Sequence, residues 1–386
     1  MNGHSDNSNT TPPWERGRAL IPKPRGSDYG YFEGNKPVPC SVEQLQERCS
    51  DFENPIGSVW IPESDFIVTV FEARCLFEQI RAVEKRFARK GLMKSVGITA
   101  VFAFLWWNTQ TGSNTFMLLL MVILGVVPTI QQLWQLWRLS TLKPEAMAGW
   151  PASIRYQSWL NAQPAKTTTI LLVGLGIIGV SQFLAGVDKS IFIGGLNRSA
   201  VEAGEYWRVF TATILHGGMV HILFNGMALY YLGRPVEILA GRSSLLIVFV
   251  LSMLVGAGFS LFTMPANGTS VGASGGILGL LGFLIVLGVR YRKVVPDGFT
   301  KNLAANVVFI AFLGLAFARM IDNGGHLGGL IAGLLCGALL IPRGRHEIPL
   351  KENTILKSLG WMSVVYLILA AAFTISKLAP SWKIPM

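Results

Sequence analysis

The sequence has little charge. Only 14% of its 386 residues are Asp, Glu, Lys or Arg, whereas 51% are hydrophobic and the mean hydropathy is +0.44. A soluble globular chain carries about 25% charged residues, so this chain lacks the polar surface that would cover it in water. The composition therefore argues against an ordinary soluble enzyme, and it predicts an all-α, polytopic bundle of membrane-spanning helices in a lipid bilayer.

Cysteine is scarce as well. The four cysteines have no CxxC spacing, which argues against both a disulfide framework and a zinc site; they are Cys40, Cys49, Cys75 and Cys336. No histidine stands with Cys, Asp or Glu at ligand spacing, so neither a metal nor another cofactor is expected. Residues 1–18 have no apolar core, so we expect no secretory signal peptide.

Acidic residues are outnumbered. The chain has 33 Lys and Arg against 22 Asp and Glu, a net charge of +11. Basic and aromatic residues do not interleave as they do on strand-binding surfaces, so no nucleic-acid partner is expected. Instead, five basic clusters lie between apolar runs, all on one side when the runs are counted as spans. The positive-inside rule places this side, and the N-terminus, in the cytoplasm. The hydrophilic start favours a bacterial plasma (inner) membrane.

The apolar runs predict nine helices, since lipid offers no partner for exposed backbone groups. They lie near residues 95–108, 115–137, 167–187, 219–238, 244–264, 274–290, 301–318, 325–341 and 355–376. The external connection over 188–218 is long and apolar, so we expect it to be partly embedded in the membrane.

Composition also divides the chain into segments. Two short strand-like stretches, SVWIP and DFIVTVF, precede an amphipathic helical pattern over 72–90. The predicted order is a flexible cytosolic arm (1–57), a small cytosolic module (58–92), a two-helix transmembrane hairpin (93–138), an interfacial linker (139–166), a six-helix core (167–345) and an extra C-terminal helix (346–386).

Polar residues at membrane depth are costly and are functional candidates by default. In HGGMVHILFN, His221 and Asn225 are four residues apart, so they share one face of a helix. His216 lies just before that helix. The alternative interpretation is that these side chains only join helices through hydrogen bonds.

Two glycine-rich runs carry the other candidates. In VGASGGILG, Ser274 begins a span and is flanked by Gly272 and Gly275. In DNGGHLGGLIAGLLCG, His326 also begins a span, and glycines repeat every four residues along it. Such glycine-lined faces allow close helix packing, which would bring Ser274 and His326 together. Simple packing for the serine, and a hydrogen bond to a loop carbonyl for the histidine, are the structural alternatives.

All three groups map to external helix ends, which favours a joint catalytic site. A serine becomes a nucleophile when a nearby histidine takes its proton, and the oxyanion then needs fixed donors. His221, Asn225 and the Ser274 amide could supply them. Asp322 is the carboxylate nearest to His326, but we expect it to face the loop. The sequence therefore predicts a Ser–His dyad without a third member.

These residues resemble the rhomboid family of intramembrane serine proteases. The resemblance covers about 167–341 and includes Trp207–Arg208, H-x4-H-x3-N, GxSG and GGHLGG in the family's order. It implies that Ser274 is the nucleophile, His326 the base, and His221, Asn225 and the Ser274 amide the oxyanion hole. It also implies supporting roles near the site for His216, Trp207, Arg208, Gly272 and Gly275. Leu278 stands where many members carry an aromatic residue stacked on the catalytic histidine; a leucine can pack against the ring but cannot stack on it.

The function implied is cleavage of transmembrane protein substrates near the external membrane face. Their helices must unwind locally and enter laterally, by resemblance past the span at 301–318. The main alternative is a catalytically inactive member of the same fold that binds and escorts membrane helices. A transporter is disfavoured because the sequence has neither intramembrane charged pairs nor inverted repeats.

Overall fold

The structure is a computed structural model. It describes residues 12–14, 22–33, 36–51, 56–108, 118, 121–144, 150–318, 320–343 and 347–382. Part of the predicted arm (1–11 and 15–21) and the start of the second predicted span (115–117) lie outside the described residues. The chain divides into two compact units. We call Gly17–Arg155 the N-terminal unit, and Met1–Arg16 together with Tyr156–Met386 the bundle unit.

A four-stranded antiparallel sheet of order β2-β1-β3-β4 lies in the N-terminal unit. Its strands are β1 (Tyr29–Glu33), β2 (Lys36–Cys40), β3 (Ser58–Trp60) and β4 (Val68–Thr69). The two later strands confirm the strand-like stretches. The two earlier strands show that the prediction of a flexible arm over 1–57 was wrong for this part of the chain. Strand β1 pairs with both β2 and β3, which satisfies the hydrogen-bonding groups of its backbone.

Helix α1 (Val42–Ser50) follows the hairpin of β1 and β2, and a capping box between Ser41 and Gln44 starts it. Two 3₁₀ turns, Val70–Glu72 and Arg74–Leu76, lead into α2 (Phe77–Asn108). Helix α2 runs on for 32 residues. The predicted amphipathic helix and the first predicted span are therefore one element, since no proline interrupts it.

The second helix of the hairpin has a π-helical segment, Met121–Val126, continuing into α3 (Val127–Thr141). It packs against α2, where the Thr129 hydroxyl donates to Ser95 Oγ at 3.0 Å. Gly125 lies against Thr99 without a side chain between them. The hairpin thus belongs to the same compact unit as the sheet.

Helix α4 (Trp150–Ala162) crosses the boundary between the units. The remaining helices are α5 (Lys166–Ala185), α6 (Val187–Gly194), α7 (Arg198–Glu202), α8 (Arg208–Thr211), α9 (Met219–Ala240), α10 (Arg242–Thr263), α11 (Ser274–Arg290), α12 (Phe299–Ala316), α13 (Asn323–Leu340) and α14 (Thr354–Leu378), with a 3₁₀ turn at Ala379–Ser381. Strands β5 (Leu196–Asn197) and β6 (Thr269–Ser270) pair with each other.

Among the described residues, five helices are long and apolar enough to cross a membrane: α5, α10, α12, α13 and α14. Helix α11 is apolar but has only 17 residues. Helix α9 coincides with the predicted span at 219–238 and carries Arg234 and Glu237 near its end. The protein is therefore an integral multi-pass membrane protein with a helical bundle, as the composition predicted.

The predicted outlying segments belong partly to the bundle unit. Trp14 is 7% exposed, and its ring lies 4.9 Å from Tyr156 and 5.4 Å from Trp159 between centroids. Burial of this large ring corrects the flexible-arm prediction at Trp14. The extra C-terminal helix also packs inward, because Gly360 lies against Ser243 of α10.

The predicted external loop over 188–218 is folded. It contains α6, β5, α7 and α8, and β5 pairs with β6 in the register Leu196 to Ser270. Ser270 stands four residues before Ser274. This small sheet therefore ties the loop to the segment that leads into α11.

Candidate active site

Ser274 is the first residue of α11, where the amides of the first turn have no partner within the helix. The chain reaches it through Gly272, whose φ of +136° is a conformation that side chains rarely adopt. The Gly272 amide donates to the Ala212 carbonyl at 2.9 Å. Ser274 is thus presented at a helix N-terminus, where the dipole favours negative charge.

His326 lies in the first turn of α13, and its amide donates to the Asp322 carbonyl at 3.0 Å. Asp322 caps this helix, since its carboxylate accepts the Gly325 amide at 2.8 Å. The Nδ1 atom of His326 is buried and has no hydrogen-bond partner. The imidazole is therefore held by the position of its helix and not by a carboxylate.

Glycines bring α11 and α13 into backbone contact beside these two residues. A Cβ added to Gly329 would lie 2.7 Å from the Gly275 Cα, and one added to Gly275 would lie 3.4 Å from the Gly325 carbonyl oxygen. Gly275 follows Ser274 and Gly325 precedes His326, so both residues stand at the same end of the two helices. Within the described chain, no hydrogen bond joins the Ser274 hydroxyl to His326.

His221 and Asn225 both face Gly272. A Cβ at Gly272 would lie 3.0 Å from His221 Nε2 and 3.6 Å from Asn225 Nδ2. The Gly217 amide donates to His221 Nδ1 at 3.2 Å, so a neutral imidazole carries its proton on Nε2. Asn225 is buried, and its Nδ2 donor has no partner. Two side-chain donors therefore converge on the segment before Ser274.

His216 supports His221 through its ring. The two ring centroids are 5.2 Å apart in a T-shaped arrangement, and His216 is buried. The hydrogen bonds that hold this loop run through the main chain of His216: Gln182 accepts its amide at 2.9 Å and donates to its carbonyl at 3.0 Å. Gln182 is not among the residues predicted from the sequence. A polar side chain within the apolar span of α5 was the signal that could have found it.

Trp207 and Arg208 lie in the folded loop, away from Ser274 in sequence. Arg208 is buried, pairs with Glu205 and donates to the carbonyls of Phe192 and Gly195. The Lys377 ammonium lies 4.8 Å from the centre of the Trp207 ring. These contacts join the loop to itself and to α14.

Asp322 was expected to face the loop, and it does reach the loop strand β6. Its carboxylate accepts the Ser270 hydroxyl at 2.5 Å, and also the Ser260 hydroxyl of α10 at 2.5 Å.

A cavity of about 30 Å³ lies beside Ser274, lined by Asp322, Ser270 and Gly272 among others. The described residues contain no group of three or more His, Cys, Asp or Glu that could hold a metal ion.

Comparisons with known proteins show the family of this chain. A family model described as the Rhomboid domain matches residues 203–343. The putative rhomboid protease YdcA of Bacillus subtilis is 30% identical over 139 residues, which are 35% of this chain and 70% of that protein. The chain belongs to the rhomboid family.

Other rhomboid relatives match shorter shares of their own length. The rhomboid protease GluP of Bacillus subtilis is 31% identical over 188 residues, 47% of this chain and 36% of GluP. RHOMBOID-like protein 5 of Arabidopsis thaliana is 31% identical over 155 residues, 40% of this chain and 50% of that protein. The chain thus spans between a third and a half of these two relatives.

The Rhomboid domain match contains every residue of the predicted site, from Trp207 to His326. Leu278, the departure noted from the sequence, is buried one turn after Ser274 in α11. Gln182 and the hairpin of α2 and α3 lie outside the matched residues.

Proposed function

We propose that this rhomboid is an intramembrane serine endopeptidase with a Ser274–His326 dyad. The observation that carries the proposal is the backbone contact of Gly275 with Gly325 and Gly329. Gly275 directly follows Ser274, and Gly325 directly precedes His326. No side chain separates the two helices there, so Ser274 and His326 stand at the same end of two helices in backbone contact. Relatives named as rhomboid proteases support the same reaction class.

The proposed reaction is acyl transfer to serine followed by hydrolysis. Ser274 Oγ attacks the scissile carbonyl carbon while His326 takes the hydroxyl proton. The imidazolium then returns that proton to the departing amine as the peptide bond breaks. A water molecule, deprotonated by His326, then attacks the acyl-serine carbonyl. The imidazolium returns that proton to Ser274 Oγ as the ester bond breaks, which releases the new carboxyl group and restores the free serine. Since Asp322 bonds to other groups, the cycle uses no third member.

The proposed oxyanion hole combines three donors. The Ser274 amide lies at the N-terminus of α11, where the helix dipole also favours negative charge. Asn225 Nδ2 is buried and unpartnered, as expected of a donor reserved for a charge that develops during the reaction. His221 presents Nε2–H to the same segment. Removal of one such donor typically costs about a hundredfold to a thousandfold in kcat.

The proposed substrates are transmembrane helices that enter laterally beside α12. Only Leu313 and Gly314 of this helix are buried, so little packing opposes its displacement. A helical amide is shielded by its own hydrogen bonds, so cleavage needs local unwinding. Small or helix-breaking residues near the cleaved bond should therefore favour cleavage.

We place the active site near the external membrane face. Arg290, at the opposite end of α11 from Ser274, donates to the carbonyls of Gly337 and Ala338 at the end of α13. The positive-inside rule puts that end in the cytoplasm. In a cysteine-free variant, a membrane-impermeant maleimide should label Ala266→Cys in intact cells but not Asp297→Cys. The reverse pattern contradicts this orientation.

The deciding experiment is labelling of the detergent-purified protein with a fluorophosphonate. We expect the probe to modify Ser274, because it reacts with a hydroxyl that a base activates. Labelling should vanish in Ser274→Ala and fall strongly in His326→Ala. Ser363→Ala on α14 is the matched serine control and should label like the wild type. A transmembrane substrate incubated in the same preparations should be cleaved only where labelling occurs.

The escort function is the alternative outcome. The escort function is supported if the wild type stays unlabelled and cleaves no substrate under conditions where an active rhomboid protease reacts. Binding of transmembrane helices by Ser274→Ala and wild type alike would then be its positive evidence.

A further inference from the structure

The carboxylate of Asp322 connects three elements around the dyad. It accepts the Gly325 amide in the first turn of α13, the Ser270 hydroxyl in β6 and the Ser260 hydroxyl in α10. Ser270 stands four residues before Ser274, and Asp322 stands four residues before His326. The same side chain thus touches the segment that carries the serine and begins the helix that carries the histidine.

We propose that Asp322 is a positioning residue that fixes the distance between Ser274 and His326. This inference rests on the proposed peptidase function and assigns Asp322 no proton transfer. Its oxygens are engaged by three other groups, and His326 Nδ1 has no partner, so it does not orient the imidazole directly. It acts through the backbone, by fastening β6 to the start of α13.

The glycine contact between α11 and α13 explains why hydrogen bonds to Asp322 would be useful here. Beside the dyad, the contact between α11 and α13 is made by Gly275, Gly325 and Gly329, which offer no side chains to fix the position of one helix along the other. Asp322 holds the helices by hydrogen bonds at the end that carries the dyad. At the other end, Arg290 of α11 donates to carbonyls of α13. A misplacement of about 1 Å between reacting groups can cost about a hundredfold in rate.

Two serines separate positioning from stability. Ser270→Ala removes only the link to the nucleophile segment, and it leaves the helix cap and the Ser260 bond intact. Ser260→Ala is the matched control, because it removes a bond to the same carboxylate oxygen from a helix that carries neither dyad residue. Ser260 is buried and Ser270 is half-buried, so the control should lower the unfolding temperature at least as much.

The test measures kcat and KM for a transmembrane substrate in detergent, with the unfolding temperature of each variant. We expect Ser270→Ala to lower kcat about tenfold or more with KM unchanged, and Ser270→Thr, which keeps the hydroxyl, to restore it. Asp322→Ala should lose at least as much kcat. Ser260→Ala should keep most of its kcat. Equal loss of kcat in the two serine variants, or none in Ser270→Ala, overturns the proposal.

Hydrogen exchange supplies a readout that needs no activity. The Gly272 amide, bonded to Ala212, should exchange faster in Ser270→Ala than in the wild type and in Ser260→Ala. If the wild type cleaves nothing yet this difference appears, the peptidase proposal fails and the anchoring role of Asp322 stands. If exchange at Gly272 is the same in all three proteins, the anchoring role is refuted regardless of activity.

Discussion

Gly279 of α11 lies directly against Gly333 of α13. A Cβ on Gly333 would come 2.5 Å from the Gly279 Cα. Because the atoms it meets belong to the main chain, no side-chain rotation can relieve this clash. The contact extends the one beside the dyad by a further helical turn. It makes the spacing of these two helices sensitive to a single methyl group.

Gly333→Ala should therefore separate the two helices. We expect a loss of about 2–3 kcal/mol in unfolding free energy, as for overpacked sites, and a larger loss of peptidase activity than that stability change explains. Thermal unfolding in detergent and substrate cleavage measure both. Gly258→Ala on α10 is the matched control, since nothing lies within 4 Å of its Cβ position, and it should be neutral or slightly stabilising. Equal behaviour of the two variants would contradict the close contact.

Gln182→Ala should loosen the loop that carries His216. The change removes the hydrogen bonds to the amide and carbonyl of His216 and one to Ser190 Oγ, and buried groups left unpaired cost about 1–3 kcal/mol each. We expect a clear drop in the unfolding temperature and slower fluorophosphonate labelling, because His216 packs on His221. Gln157→Ala, an exposed glutamine on α4, is the control. An unchanged unfolding temperature in Gln182→Ala would refute this role.

Trp14→Ala should weaken the attachment of the N-terminal segment to the bundle unit. The ring is buried against Tyr156 and Trp159, and truncation of a buried tryptophan costs about 3–5 kcal/mol. We expect a lower unfolding temperature and faster proteolysis near residue 14, with a smaller effect in Trp14→Phe. Trp361→Ala, whose side chain is 63% exposed, should be nearly neutral. The docked arrangement is incorrect if Trp14→Ala and Trp361→Ala behave alike.

Cys49 should resist alkylation in the folded N-terminal unit. Burial raises the pKa of the Cys49 thiol to about 12, and only the thiolate reacts. The iodoacetamide rate should therefore stay low at pH 8 and climb up to about pH 12, whereas denaturant should restore an ordinary thiol pKa near 8.5. The thiol of the unfolded chain loses its proton at a lower pH than the thiol of the folded protein. The free energy of unfolding should therefore also fall between about pH 8.5 and 12. Peptide mass spectrometry can follow the alkylation of Cys49. Rapid alkylation of Cys49 in the folded protein at pH 8 would contradict the burial of its thiol.

The sequence predicted the helices well where lipid constrains them. The spans near 167–187, 244–264 and 301–318 coincide with α5, α10 and α12 within a few residues, because apolar length and backbone satisfaction allow one solution. The small sheet was predicted only in part. Residues 29–40 include two glycines and two prolines, which are uncommon in strands, and β1 pairs with β3 about 30 residues later in the chain.

Candidate site residues were recognisable because polar groups are rare at membrane depth. His221, Asn225, Ser274 and His326 stood out against an apolar background, and glycine periodicity predicted which helices would touch. The supporting contacts were not readable. Gln182 meets His216 across 34 residues and Asp322 meets Ser270 across 52, and no local pattern encodes such partners.

The sequence alone determined that this chain is a membrane helix bundle of the rhomboid type and which residues are chemically unusual in it, because hydrophobic length and the cost of buried polarity act locally. The tertiary structure decided how these residues are held. Only packing brings the start of α13 against β6, docks Trp14 beside Tyr156 and presses Gly275 onto Gly329, since each contact joins segments that are distant along the chain.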